Sequence, residues 1–259
     1  MLPLVDLHSH LLPGLDDGPR TEEEALTLCR IASADGIQIA LATPHQSERW
    51  GSVTPARICQ ATRRLNELLQ SAAIPLTVLP GAEVMFHPEI EASWRNGDLL
   101  SVADRRQYLL LEMPEAIFPL SAEVIASFQE MGVGLILAHA ERYPDLLYDS
   151  ERVEELIQAG CLIQVSTGSI TAPRSRRDQQ ALKTWFRRGI VHFMGSDAHS
   201  AIRRPPKMAD AYRRIVRWTG SKVADQVFTT NGIAVTHGLP LQIVPPSPRR
   251  LRKFFLSWR

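Results

Sequence analysis

Val5–Gly18 reads VDLHSHLLPGLDDG. The apolar run Leu4–Leu7 has the composition of a buried strand and ends in two histidines one residue apart. Side chains alternate along a strand, so His8 and His10 share a face. Asp16 and Asp17 follow just before a glycine, where Asp-Asp-Gly is ordinary turn chemistry. One of the two can be a ligand and the other a turn former. Asp6 has the parity of His8 and can orient an imidazole or make a structural hydrogen bond.

The same design recurs along the chain. Further strands are expected at Gln38–Ala42, Leu76–Leu79, Tyr108–Leu111, Val133–Ala138, Leu162–Val165 and Ile190–Met194. Amphipathic stretches between them predict helices over Thr21–Ala34, where Thr21 and Glu24 have capping-box spacing, and over Pro55–Gln70, opened by a proline. Others are expected at Ser121–Glu130, Ser150–Ala159, Arg177–Arg187, Lys207–Trp218 and Ser221–Val227. Strand–helix alternation implies βαβ units and a parallel sheet. About seven units in 259 residues predict a single-domain α/β barrel, with an open doubly wound sheet as the alternative.

Parallel strands bring their C-terminal ends to one face, where such folds build their sites. Those ends carry the chemistry of this chain. After the first strand come His8 and His10. ATPH ends in His45, LPGAE in Glu83 and LLLE in Glu112. ILAHAER supplies His139 and Arg142, and GSDAHS supplies Asp197 and His199. Five of the eight histidines fall in this set, and scattered surface histidines would not sort so. Imidazoles beside carboxylates suit manganese, iron or zinc better than magnesium or calcium. With Asp16 the candidates number nine, too many for one ion, so two or three are expected. His87, His192 and His237 match no such position and read as structural.

The bulk numbers exclude other classes. A net charge of +1 gives no global field toward nucleic acid. Three cysteines, none in a CxxC pair, argue against a disulfide framework and for a reducing compartment. With no leader-like N-terminus and no spanning apolar run, the expected location is cytoplasmic. A cysteine-based tyrosine phosphatase needs Arg six positions after its Cys. Cys29, Cys59 and Cys161 have Asp35, Leu65 and Thr167 there. G-x-S-x-G and Walker motifs are absent.

DLHSH, LPGLDDGP, ATPH, GAE, LLLE, AHAER and SDAH together resemble the polymerase and histidinol phosphatase (PHP) superfamily. Within it the chain is most similar to the manganese-dependent protein-tyrosine phosphatases of bacterial capsule and exopolysaccharide clusters. The resemblance runs from the first strand to about Asn231. It implies a distorted seven-stranded β/α barrel holding three divalent metal ions. Carried over by motif, His8, His10, Glu83 and Asp197 would hold one ion. Asp16, His45 and His199 would hold a second. Glu83, Glu112 and His139 would hold a third, with Glu83 bridging. Arg142 and Arg204 match the phosphate-binding arginines. The implied substrate is the phosphorylated tyrosine-rich tail of a membrane-anchored bacterial tyrosine kinase. Alternatives are a small phosphorylated metabolite such as histidinol phosphate, or a metal-loaded regulatory module without turnover. Ala140 stands where the family often has Pro, and Gln46 where it commonly has His or an aromatic residue.

Residues 1–244 are therefore expected to form the barrel and 245–259 a basic tail. Leu251, Phe254, Phe255 and Trp258 recur at helical spacing among five cations, a pattern for an anionic membrane surface or for packing on the barrel or a neighbouring subunit. Arg174, Arg176 and Arg177 follow the sixth strand and can attract acidic, phosphorylated segments.

Overall fold

The computed structural model describes residues 2–114 and 120–241. The tail at 245–259 lies outside the described residues. Among the described residues there are nine strands: β1 (Leu4–Ser9), β2 (Ile37–Ala42), β3 (His45–Gln46), β4 (Thr77–Pro80), β5 (Glu83–Met85), β6 (Tyr108–Glu112), β7 (Gly134–Leu137), β8 (Leu162–Ser166) and β9 (Phe193–Gly195). Every ladder is parallel. One sheet runs β1-β2-β4 and the other β3-β5-β6-β7-β8-β9. β9 returns beside β1, where Asp197 N–H donates to His8 O at 2.7 Å and His10 N–H to Ala198 O at 2.8 Å. The parallel sheet thus curls back toward its own first strand, with helices packed outside.

Two expected strands are each followed by a short further one, β3 after β2 and β5 after β4. Thr43–Pro44 separates β2 from β3, because proline has no N–H to give to a ladder. Gly81–Ala82 separates β4 from β5. A Cβ on Gly81 would lie 3.0 Å from Leu41 Cγ, so the chain needs glycine to pass there. The seventh expected strand begins later than its apolar run. Gly189 is left-handed, and Ile190 N–H still bonds Trp185 O at 3.0 Å, so Ile190 closes the helix Arg176–Arg188.

Thr21 caps the first helix, Glu22–Ala34, accepting from Glu24 N–H. The Glu24 carboxylate reaches back one residue further than a capping box, to Arg20 N–H at 2.7 Å. The short helices Ile90–Asn96 and Thr167–Thr171 were not expected, since neither spans enough turns to show a period. Leu7, Leu41, Leu110, Ile136, Leu162 and Phe193 form a small apolar cluster contributed by six strands. A larger cluster joins helices to sheet. Among the described residues no helix is long and apolar enough to cross a membrane.

Candidate metal centre

Local irregularities aim the site residues. Between Asp6 and Ser9 β1 advances three residues while β2 advances two, from Ala40 to Ala42. Such a bulge re-aims side chains and is common beside active sites. His139 and Asp197 have left-handed backbones, at φ 33° and 54°. That conformation is costly for non-glycine residues and is concentrated at functional sites.

The strand ends converge. Ring centroids lie 3.8 Å apart for His10 and His199, 4.6 Å for His10 and His45, and 5.5 Å for His8 and His139. Glu83 Oε2 is 3.2 Å from His8 Nε2, 3.3 Å from His10 Nε2 and 3.0 Å from His45 Nδ1. Its Oε1 is 2.7 Å from His139 Nε2, which is 3.4 Å from Glu112. Asp197 Oδ1 is 3.6 Å from both His8 Nε2 and His10 Nε2. Arg142 and Arg204 both bond Asp197 Oδ2 from the half-exposed rim. Of the nine expected metal ligands, eight bring a side-chain atom into this cluster.

Asp16 is the exception and stands behind His10. Its Oδ2 accepts from His10 Nδ1 at 2.6 Å and from His45 N–H at 3.1 Å, and its Oδ1 from Gly18 N–H at 3.0 Å. The neighbouring Asp17 takes the position expected of it, 3.5 Å from His45 Nε2 and 3.3 Å from His199 Nε2. The turn at Gly18 turns one carboxylate inward under His10 and the other toward the two imidazoles. Sequence reasoning also passed over Gln164 and Ser196. The one polar side chain inside the buried LIQ core of β8 was the available signal for Gln164. Asp6, fully buried, accepts from Ser196 N–H at 2.7 Å and Ser196 Oγ at 2.5 Å, which ties β1 to the loop carrying Asp197.

The donor set fits divalent cations. In four groups the ligand atoms lie within 4.8 Å of one another: His10, Asp17, His45 and His199; His8, His10 and Asp197; His8, Glu83 and His139; His45, Glu83 and Glu112. Both guanidiniums are spent on Asp197, which leaves the buried Glu83 carboxylate among imidazoles alone, and buried charge must be paired or hold a metal. His10 and His199 each give their Nδ1 proton to an oxygen, of Asp16 and of the Asp197 backbone. Their Nε2 lone pairs are then free. His8 Nε2 and His10 Nε2 stand only 3.3 Å apart, a contact that needs a proton or a cation between them. Without a cation, burial lowers the pKa of His10, yet bonds to Asp16 and Glu83 outweigh it and push it up to about 10. Burial would raise Glu83, but His8, His10 and His139 hold it well below the usual carboxylate range. Asp197 is likewise held low, by His8 and Arg142, against its burial.

Other residues singled out have ordinary roles. Arg174 pairs with Asp178 at 3.0 Å, and Arg177 lies over the Tyr148 ring. His192 Nδ1 accepts from Ile163 N–H at 3.1 Å, and His237 bonds Ile233 O. Burial pushes the thiols of Cys29 and Cys161 up to about 12, so neither is a nucleophile.

Fold and cluster together define an α/β protein with a candidate polynuclear metal centre at the C-terminal rim of a curled parallel sheet. Residues 4–237 match the family described as capsular polysaccharide synthesis, CpsB/CapC, and the chain belongs to it. Tyrosine-protein phosphatase YwqE of Bacillus subtilis (strain 168) is 28% identical over 97% of this chain and 99% of its own. Tyrosine-protein phosphatase CpsB of Streptococcus pneumoniae is 25% identical, over 88% of this chain and 96% of its own. A solved structure from work on both, described as unique metal-dependent tyrosine phosphatases, superposes with a TM-score of 0.87 at 27% identity. It covers 94% of this chain and 98% of that one.

Proposed function

We propose that this chain is a metal-dependent protein-tyrosine phosphatase acting in capsular or exopolysaccharide synthesis. The observation that carries the reading is the largely buried cluster of five imidazoles and the carboxylates of Glu83, Glu112, Asp197 and the more exposed Asp17, with two arginines at its mouth, in a chain whose relatives bear that name. The sheet is taken as a distorted seven-stranded barrel of the PHP type, with β2–β3 and β4–β5 each counted as one broken strand. It occupies residues 1–244, followed by the basic tail 245–259. Three ions are proposed, manganese before iron or zinc. His8, His10, Glu83 and Asp197 would hold one, Asp17, His45 and His199 a second, and Glu83, Glu112 and His139 a third. Bound there, divalent ions activate water and neutralise phosphoryl charge.

The chain's own residues do the rest. Arg142 and Arg204 present planar forks that match phosphoryl oxygens, and both aim at the same carboxylate oxygen at the rim. In the hydrolysis the water oxygen would bond to phosphorus as the P–O bond to tyrosine breaks, and the water's proton would end on the departing phenolate, giving tyrosine and inorganic phosphate. Phenolate is a fair leaving group, so a strong general acid is dispensable. Beside the cluster a groove of about 1200 Å³ runs from His45 and Glu112 to Trp50 and Phe86. Small-molecule sites usually enclose roughly 300–1,000 Å³ and bury most of the ligand. This larger, open groove favours a polypeptide over a small metabolite such as histidinol phosphate. The proposed partner is the phosphorylated tail of a membrane-anchored tyrosine kinase, met on the cytoplasmic side. The half-buried Cys59 and the free Cys29 and Cys161 accord with that compartment.

The test is phosphate release from a phosphotyrosine peptide and from histidinol phosphate, each after chelation and again after manganese is restored. Release from the peptide that returns only with manganese is expected. Turnover of histidinol phosphate alone would move the substrate to small metabolites. No turnover of either would leave a non-catalytic module.

A further inference from the structure

We infer that Gln164, at the centre of β8, is a positioning residue that selects which nitrogen His8 presents to the metal cluster. This rests on reading the cluster as a metal site, though not on any particular substrate. Gln164 is fully buried, in a strand whose neighbours Ile163 and Val165 are apolar. Its Oε1 lies 2.7 Å from His139 N and 3.3 Å from His8 Nδ1. A backbone N–H can only donate, so the amide atom it meets must be the oxygen. That settles which way the Gln164 amide faces. The same oxygen can only accept, so His8 Nδ1 must carry a proton. His8 Nε2 is then left with its lone pair, aimed at Glu83, His10 and Asp197. One backbone N–H thus fixes an amide, the amide fixes a tautomer, and the tautomer fixes the ligating atom.

The arrangement also explains two other features. Oε1 bonds the backbone of His139 as well, at the residue whose left-handed turn starts the segment carrying Arg142. Gln164 therefore couples two ligands from different strands. Its Nε2 is buried without a partner, a cost that a residue retained for packing alone would avoid. A methyl on Gly195 would come within 2.8 Å of that Nε2 and 2.5 Å of His8 Cβ, so the glycine leaves the space both side chains use.

The experiment compares wild-type protein with Gln164→Leu and Gln164→Glu. Manganese is titrated calorimetrically into each metal-free protein, with thermal unfolding of the same samples as a folding control. Gln164→Leu is expected to bind at least one manganese about 10–100-fold more weakly, the usual effect of removing a group that orients a metal-ligating histidine. Gln164→Glu keeps an acceptor at the same place and is expected to restore affinity, and the proton position on His8 is the readout that a packing role would not set. A folded Gln164→Leu protein with wild-type manganese affinity would overturn the inference. Long-range proton–nitrogen spectra of the zinc-loaded wild type need no variant: a His8 proton on Nδ1 is expected, and one on Nε2 would refute the assignment even if Gln164→Leu did not fold.

Discussion

At the scale of single residues, two adjacent aspartates do different work. Asp16 steadies His10 from behind, and Asp17 faces His45 and His199. The two substitutions should therefore separate. Asp17→Asn is expected to lower the number of bound metal ions measured by elemental analysis after dialysis. Asp16→Asn is expected to keep the full number and weaken affinity by about 10–100-fold, since an amide oxygen still accepts from His10 but without the charge. The reverse pattern would restore Asp16 as the ligand. The sequence could not split the pair, because both sit in one turn and turn chemistry favours aspartate at either place. His8, His10, His45, Glu83, Glu112, His139, Asp197 and His199 were legible because each follows an apolar run expected to be a strand, and the C-terminal ends of parallel strands need no tertiary information to be placed on one face.

At the scale of elements, the junction of β1 and β9 decides the geometry of the centre. Asp6 and Ser196 lock the two strands together below the ligands, and Gly195 permits their close approach. Gly195→Ala should test this directly. The new Cβ would meet His8 Cβ at 2.5 Å and His8 N at 3.2 Å, atoms fixed to backbone that cannot swing aside. We expect a loss of about 1–3 kcal/mol in urea unfolding of the metal-free protein, the ordinary cost of overpacking a filled interior, and weaker metal binding with it. Unchanged stability would show that β1 yields more easily than its bonds to Ser196 suggest. Expected strands were found at nearly every place predicted, but the breaks at Thr43–Pro44 and Gly81–Ala82 were not. A break depends on what lies across the ladder, such as Leu41 over Gly81, and no local pattern records that.

At the scale of the whole molecule, His192 ties the sheet together away from the centre. It receives the Ile163 N–H on Nδ1, and its own backbone oxygen accepts from Asn231 Nδ2 at 2.9 Å. Burial lowers its pKa from 6.5 to about 4. Between those values the unfolded chain binds the extra proton and the folded one does not, so stability falls as pH falls from 6.5 toward 4. The full difference amounts to about 3 kcal/mol. Because the metal-site histidines also titrate, the measurement is the pH dependence of unfolding free energy relative to His192→Gln, whose amide oxygen can still accept from Ile163. The wild type should lose stability relative to the variant on acidification, and parallel curves would remove His192 as the cause.

The periodic apolar runs and their polar ends determined, from sequence alone, that the fold is parallel α/β and that the histidines and carboxylates meet on one face. Strand alternation and connection rules are local physics and survive without coordinates. Only tertiary structure decided which atom of each residue faces the centre. That choice follows from long-range contacts: the Gly18 turn beneath His10, Gln164 on His8 from 156 residues away, and Ser196 on Asp6 from 190. A hydrogen bond between distant segments leaves no periodic trace in either one, yet it fixes the tautomer and the direction on which metal chemistry depends.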